Sequence, residues 1–328
     1  MTDFSLFLAN HAVVQALKRA AAPGGRLGHA YLLHGTAGTG KRTLARCFAA
    51  GILCEAAGER PCGQCLSCQK VEKGIHPDLL LVRRPDGKMQ ITVDQIRTLR
   101  ENVYLLPNES PRKAALIEGA DAMNEAAANA LLKVLEEPPP YLTFILTADN
   151  RSALPETIAS RCICLELSEA PRLQAEKWLM RQFPDAPPDQ LAGAILCGGG
   201  NLGRASAYLQ DEKAAKSFQS ALALVKSLST GRAFDVMAAA STAESDRESF
   251  LALLADVDQL MGEIARGAFL LDGGVSALLP GCRVSPRQAA AIHQLGGQMR
   301  RRLAANGGLP LLHSLYCASL RNIMEQVY

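Results

Sequence analysis

The sequence predicts an α/β domain with a mostly parallel sheet, followed by a C-terminal half built from helices. Short apolar runs alternate with helical stretches from about Ala30 to Leu167, which is typical of buried parallel strands joined by crossover helices. After Leu167 the strand-like runs end, and amphipathic segments rich in alanine and leucine follow. We therefore expect only helices beyond this point.

Five apolar runs are the predicted strands, and each is bounded by glycine, proline or charged residues. In chain order they read AYLLHG, DLLLVR, KAALIEG, YLTFILTADN and RCICLEL. Between the third and fourth runs, Asn124 can cap a helix that the prolines from Pro138 onward must end. Strand and helix therefore alternate through this region.

The length of the chain favours several domains. It has 328 residues, of which 48% are hydrophobic, whereas single cores usually stop growing at about 250–300 residues. We divide the chain into an α/β core at residues 1–167, a small helical domain at 168–209 and a larger all-helical domain at 210–328.

Composition excludes some classes of protein. A net charge of +3 is too small to make the whole chain a polyelectrolyte for nucleic acid. The first residues lack a basic leader with a continuous apolar stretch, and no segment reaches the ~18 apolar residues of a membrane span. We therefore expect a cytoplasmic protein. Ten cysteines in a reducing compartment indicate metal or redox chemistry wherever they cluster.

The segment HGTAGTGKRTLAR has the spacing of a phosphate-binding loop. Gly35, Gly38, Gly40 and Lys41 follow a predicted strand and precede a predicted helix. In such loops, backbone N–H groups and a helix N-terminus surround the phosphates, while the lysine neutralises their charge. The segment thus predicts a nucleotide-binding cradle.

Two features of a working ATPase are missing from this cradle. Arg42 stands where a serine or threonine would bind Mg²⁺, and Thr43 points about 100° away on the helix. The strand KAALIE ends in Glu118-Gly119, whereas hydrolysis calls for two carboxylates, one for metal and one to activate water. We expect no intrinsic ATP hydrolysis and no Mg²⁺, and ATP binding is itself in doubt.

Four cysteines form a compact cluster between the loop helix and the next strand. Cys54, Cys62, Cys65 and Cys68 have C-x7-C-x2-C-x2-C spacing. Four thiolates can close a tetrahedral shell around Zn²⁺ and leave no position for water, so we expect a structural zinc site. The spacing is also compatible with an iron–sulfur cluster.

Residues 29–167 resemble the AAA+ module of bacterial clamp-loader subunits. The motifs that carry the resemblance are HAYLLHGTAGTGKRTLA, HPDLLLV, ITVDQIRTLRENV, ADAMNEAAANALLKVLEEPP and LPETIASRC. The resemblance implies an AAA+ P-loop core with a zinc module at residues 54–68. It also implies that residues 168–209 form a helical lid and that residues 210–328 form a collar used for oligomerisation.

The resemblance implies a role in DNA replication as part of a DNA polymerase holoenzyme. The motor subunits of that family, of the gamma and tau type, have a complete phosphate loop and an Asp-Glu pair, which this chain lacks. We therefore expect a non-hydrolysing subunit that helps to load a sliding clamp on primed DNA, together with motor and delta subunits. An active gamma- or tau-like ATPase is the alternative.

Four further positions are compared with the family through the resemblance. Arg161 in Ser160-Arg161-Cys162 corresponds to an arginine finger that acts in trans on the ATP of a neighbouring subunit. Context alone leaves open a simpler role, an arginine paired with a carboxylate at a strand edge. Arg204 resembles the second sensor arginine of an AAA+ lid. Thr147 and Asp149 fall near the first sensor position, where Asp149 departs from the usual Asn or Thr.

Overall fold

The computed structural model describes an α/β unit and a helical unit. It describes Phe4, Phe7, residues 9–85, Lys88, residues 90–229, 233–240, 246–266, Leu279, and residues 282–305 and 307–325. The chain divides into two compact units, Met1–Ala170 and Pro171–Tyr328. Among the described residues, no helix is both long enough and apolar enough to cross a membrane.

Five parallel strands form one sheet in the first unit. They are β1 (Ala30–His34), β2 (Leu79–Arg83), β3 (Lys113–Glu118), β4 (Leu142–Ala148) and β5 (Ile163–Glu166). Their spatial order is β2-β3-β4-β1-β5, and every neighbouring pair is parallel. The predicted strands and the α/β fold class are thereby confirmed.

Helices join these strands. They are α1 (His11–Ala21), α2 (Lys41–Leu53), α3 (Leu66–Glu72), α4 (Val93–Val103), α5 (Glu125–Glu136) and α6 (Glu156–Ala159), with short 3₁₀ turns at Ala120–Ala122 and Arg151–Ala153. The cap predicted for α5 is present, because the side chain of Asn124 accepts a 2.8 Å bond from the N–H of Ala127.

The sheet is covered by helices on both faces. Successive residues of a strand point to opposite faces, so Leu32 packs with Ile96 of α4 and Leu131 of α5, whereas Leu33 packs with Phe48 of α2. All these side chains are buried. Since the strands are parallel, the loops after β1, β3 and β4 meet at one edge of the sheet, where α/β proteins commonly bind ligands.

The described residues of the second unit are helical, as predicted. The helices are α7 (Arg172–Gln182), α8 (Pro188–Gly198), α9 (Leu202–Gln210), α10 (Glu212–Leu228), α11 (Ala233–Ala240), α12 (Arg247–Ala265), α13 (Pro286–Ala304) and α14 (Leu309–Glu325). Their main core contains Phe218, Phe250 and Tyr316. A smaller cluster surrounds Leu179, and Tyr208 packs against both. The division between lid and collar at residue 209 stays a prediction.

Candidate phosphate loop, arginine and cysteine sites

The phosphate loop connects β1 to the N-terminus of α2. Gly40 precedes the helix with φ of 86°, a left-handed conformation that favours glycine. At Gly35 a side chain is excluded by packing, because a Cβ atom would lie 2.2 Å from the carbonyl oxygen of Leu167. The sequence therefore folds into the strand–loop–helix arrangement that a phosphate cradle requires.

Lys41 is buried at the start of α2 and is already bound within its own chain. Its Nζ donates a 2.8 Å bond to the carbonyl oxygen of Thr36 and lies 2.8 Å from Oδ1 of Asp149. The lysine is 5% exposed and the aspartate 56%. A carboxylate of the chain thus neutralises the charge that a nucleotide phosphate would use.

The loop after β4 that carries Asp149 is held by Asp121. Its Oδ2 accepts bonds of 2.9 and 3.2 Å from the N–H groups of Asp149 and Asn150. Nearby, Thr147 Oγ1 accepts a 3.0 Å bond from the N–H of Gly119. The ends of β3 and β4 are therefore tied together, which positions the Asp149 carboxylate beside Lys41.

The acidic residue at the end of β3 is also paired. Oε1 of Glu118 lies 2.8 Å from Nε of Arg46 on α2, and the glutamate side chain is 4% exposed. A carboxylate oxygen that is bound to a guanidinium is not available to orient or activate water. Arg42 and Thr43, on the first turn of the same helix, are exposed, and arginine offers only donors, which cannot bind a cation.

His34 ends β1 next to the phosphate loop. Burial is the largest cause that lowers the pKa of its imidazole. The negative charge of Glu166 opposes this shift, whereas the positive charges of Arg151 and Lys41 add to it. The ring is therefore neutral at pH 7 and adds no positive charge for a phosphate.

The contact between Lys41 and Asp149 leads to a prediction about nucleotide affinity. We expect Asp149→Asn to bind a fluorescent ATP analogue roughly tenfold more tightly than the natural chain, because a hydrogen bond to a charged group contributes about 1.5–3 kcal/mol. Mg²⁺ should not change the result, since Arg42 replaces the hydroxyl that would bind it. Titration by fluorescence anisotropy gives the affinity.

Two control variants make this titration specific. Adding Lys41→Ala to Asp149→Asn should remove the gain, and Asp94→Asn, which changes an exposed carboxylate on α4, should leave the affinity unchanged. Equal affinity of Asp149→Asn and the natural chain would show that the carboxylate does not compete with phosphate.

Arg161 lies in the turn between α6 and β5, and its guanidinium is bound within its own unit. Nη1 donates a 2.9 Å bond to the carbonyl oxygen of Thr157, and Nη2 donates a 2.8 Å bond to Oε1 of Glu136. Both charged side chains are partly exposed. Arg161 is thus paired with a carboxylate, but this acid lies at the end of α5 and not at a strand edge. The role in trans stays a prediction.

Arg204 is bound to a carboxylate of the second unit. Its Nη2 lies 2.7 Å from Oδ1 of Asp256 on α12, and Ser217 donates a 2.6 Å bond to the other oxygen. Burial is the largest cause of the raised pKa of Asp256, and the two partners oppose it. This contact joins α9 to α12, while the nucleotide-sensing role of Arg204 stays a prediction.

The four clustered cysteines converge at the beginning of α3. Their sulfur atoms all lie within 4.8 Å of one another. Two of the distances are 3.9 Å, between Cys54 and Cys65, and 4.0 Å, between Cys62 and Cys68. A tetrahedral ion with metal–sulfur bonds of ~2.3 Å would hold its sulfur atoms roughly 3.8 Å apart. These residues could therefore hold a metal ion.

Backbone N–H groups bind two of the clustered sulfur atoms. The N–H of Cys65 donates a 3.3 Å bond to Sγ of Cys62, and the N–H of Cys68 donates a 3.4 Å bond to Sγ of Cys65. Backbone N–H groups, that of Cys65 first, lower the pKa of Cys62 to about 6. Burial instead raises the pKa of Cys54 and Cys68. Binding a metal ion would require these thiols to lose their protons.

The buried side chain of His76 contacts α3 next to the cysteine cluster. Nδ1 of His76 accepts a 3.0 Å bond from the N–H of Asp78, and its Nε2 lies 3.3 Å from Oγ of Ser67. Ser67 also donates a 2.6 Å bond to Glu55. Both ring nitrogens of the histidine are thus engaged, which fits a role in fixing α3 and not in binding the metal.

Three residues of these sites were not identified from the sequence. Arg46, Asp121 and Glu136 each bind a predicted residue or its loop, at separations of 72, 28 and 25 positions along the chain. No local pattern marks contacts between residues so far apart in the chain. The signal was indirect, since Asp121 and Glu136 lie in the motif ADAMNEAAANALLKVLEEPP, which carries part of the family resemblance.

Proteins of known identity are similar to part of this chain. The family model described as DNA polymerase III, delta subunit, matches residues 9–171. The DNA polymerase III subunit delta' of Pseudomonas aeruginosa is 40% identical over 174 residues, which are 53% of this chain and 53% of that protein. The subunit gamma of Buchnera aphidicola subsp. Schizaphis graminum is 39% identical over 145 residues, which are 44% of this chain and 39% of that protein.

The chain spans about half the length of the delta' relatives it matches. A solved structure, that of a DNA polymerase III gamma subunit-related protein from Thermotoga maritima, covers 95% of this chain and 99% of its own chain. Its TM-score is 0.50 at 19% sequence identity. This likeness shows the shared fold.

Proposed function

Residues 9–171 belong to the family of the DNA polymerase III delta subunit, and on this premise we propose that the chain is a delta-prime-type subunit of a clamp loader. It acts in the cytoplasm, in a hetero-oligomeric ring with motor subunits of the gamma or tau type and a delta subunit. The ring places a sliding clamp on primed DNA during replication. The helices of residues 210–328 form its collar.

The pairing of Glu118 with Arg46 is the observation that carries this proposal. Oε1 of the glutamate is 2.8 Å from the guanidinium, and the next residue, Gly119, has no side chain to supply a second carboxylate. Hydrolysis of ATP needs a group to orient or activate water and a metal to neutralise charge. A subunit without these groups does not hydrolyse ATP itself. It instead completes the ATP site of a neighbouring subunit.

Arg161 is the residue that we assign to the neighbouring site. A guanidinium presents a planar set of donors that matches phosphate oxygens and stabilises the charge that develops on a transferred phosphoryl group. Arg161 is 36% exposed, so a partner subunit can approach it. The chain thus contributes to catalysis in trans, without turnover of its own.

We further propose that the cysteine cluster holds Zn²⁺. Four sulfur ligands are typical of structural zinc, which gives the cluster tetrahedral geometry without redox chemistry. The ion would connect the C-terminal end of α2, through Cys54, with the start of α3, through Cys65 and Cys68. It would thereby fix the module that follows the phosphate-loop helix.

An active motor ATPase is the second candidate function. The similarity to gamma subunits and the strand–loop–helix cradle around Lys41 favour it. Arg42 and the Glu118–Arg46 contact count against it, because the cation site and the activating carboxylate are both compromised.

Reconstitution separates the two candidates. The purified chain should show no steady ATP turnover, whereas a mixture with motor and delta subunits should load the clamp on primed DNA only when the chain is present. Loading is measured with a fluorescently labelled clamp, and turnover by phosphate release. Turnover by the isolated chain that disappears in Lys41→Ala would favour the motor; normal loading without the chain would contradict the delta-prime role.

A further inference from the structure

A glutamate and a carbonyl group hold the guanidinium of Arg161 at two points. Nη2 donates to Oε1 of Glu136 at 2.8 Å, and Nη1 donates to the carbonyl oxygen of Thr157 at 2.9 Å. The two acceptors belong to different helices, α5 and α6. Each terminal nitrogen of the guanidinium is therefore fixed by a separate element.

Both elements are themselves anchored in the core of the first unit. Leu135, the neighbour of Glu136, is 1% exposed, and Ile158, the neighbour of Thr157, is 0% exposed. Both side chains belong to the same hydrophobic cluster against the sheet. The positions of the two acceptors are therefore set by rigid packing, although the guanidinium itself is partly exposed.

The turn that carries Arg161 is fixed as well. The N–H of Arg161 donates a 3.1 Å bond to the carbonyl oxygen of Ile158, and the N–H groups of Ser160 and Cys162 bind Glu156 and Ala159 at 2.8 and 3.2 Å. Backbone and guanidinium are thus both constrained. Between them lies a flexible side chain that would otherwise sample many rotamers.

The contact contributes little to the stability of the fold. Arg161 and Glu136 are 36% and 52% exposed, and ion pairs between exposed groups stabilise proteins only weakly. The contact with Glu136 instead orients the guanidinium of Arg161. A guanidinium has five N–H groups, and the bonds to Glu136 and Thr157 use two of them, so an anchored arginine still has donors for a phosphate.

We propose that Glu136 is a positioning residue for Arg161, holding the guanidinium ready for the ATP of the neighbouring subunit. This inference rests on the proposed function in trans. Ordering the side chain before the subunits meet lowers the entropy that is lost when the transition state forms. The carboxylate also attenuates the positive charge of the arginine. The gain in orientation is the larger of the two effects.

The test uses a reconstituted complex in which a single ATP site is active. The motor subunits that do not adjoin this chain carry a substituted phosphate-loop lysine, so turnover reports the adjoining site. We expect Glu136→Ala to lower kcat about 10- to 100-fold, since misplacement by about 1 Å can cost 10²-fold. The KM for ATP should stay unchanged, because the neighbour supplies the nucleotide-binding groups.

Glu136→Gln should give an intermediate kcat, because the amide oxygen still accepts a hydrogen bond while the charge is lost. Glu137→Ala is the matched control, since it removes the adjacent exposed glutamate and should leave kcat unchanged. The midpoint of thermal unfolding should be the same for all three variants, which separates orientation from a loss of folded protein.

Two results would overturn the proposal. If Arg161→Ala abolishes turnover while Glu136→Ala leaves kcat unchanged or raises it, Glu136 does not position the finger, and the proposed function survives. If Arg161→Ala itself has no effect, the role in trans fails, and the positioning role fails with it.

Discussion

Removing the proposed Zn²⁺ from the cysteine cluster is expected to unfold residues 54–76 locally and to lower the thermal stability of the first unit. The natural chain should contain about one equivalent of zinc, and Cys65→Ser should contain less than a tenth of that amount. Apparent binding free energies of structural zinc in small peptides are about 10–16 kcal/mol. Only part of this binding free energy would appear in the free energy of unfolding of the first unit, because the sheet has its own hydrophobic core.

The measurements are elemental analysis, thermal unfolding and limited proteolysis. Cleavage within residues 54–76 should become fast in Cys65→Ser and after chelation at neutral pH. Cys282→Ser is the control, because it changes a half-buried cysteine of the second unit and should retain the metal. A brown protein that contains iron and absorbs visible light would show that the cysteines hold an iron–sulfur cluster and not zinc. A metal-free natural chain with unchanged stability would contradict the metal site.

Arg161→Ala is expected to lower ATP turnover at the adjoining site of the reconstituted complex by about 10³-fold or more, which is the range for arginine fingers. The isolated variant should fold normally, because the side chain is partly exposed and its ion pair is on the surface. Arg161→Lys should restore little, since an ammonium keeps the charge but loses the planar set of donors.

Turnover is measured by phosphate release without the clamp, so that contacts to the clamp cannot affect the result. Arg97→Ala is the control, because it removes another exposed arginine that is paired within the chain; it should behave like the natural chain. Unchanged turnover in Arg161→Ala would contradict a finger in trans and leave Arg161 with a purely local role.

Local patterns were sufficient for much of the fold. The five strands were predicted because parallel strands are buried on both faces and so read as continuous apolar runs. The start of α5 was predicted from Asn124, because an asparagine side chain can accept a hydrogen bond from one of the unpaired N–H groups at the start of a helix. The cysteine cluster was predicted because its ligands lie within 15 residues, so that spacing nearly fixes which atoms can meet.

The sequence by itself determined the class of fold, the strand–loop–helix segment around Lys41 and the cluster of four cysteines, because each depends on periodicity or on residues close together in the chain. Only the tertiary structure decided that Lys41 binds Asp149, that Glu118 binds Arg46 and that Arg161 binds Glu136. Charged groups select partners by distance in space, and here those distances follow from the order β2-β3-β4-β1-β5 and from the packing of α2, α5 and α6 on that sheet.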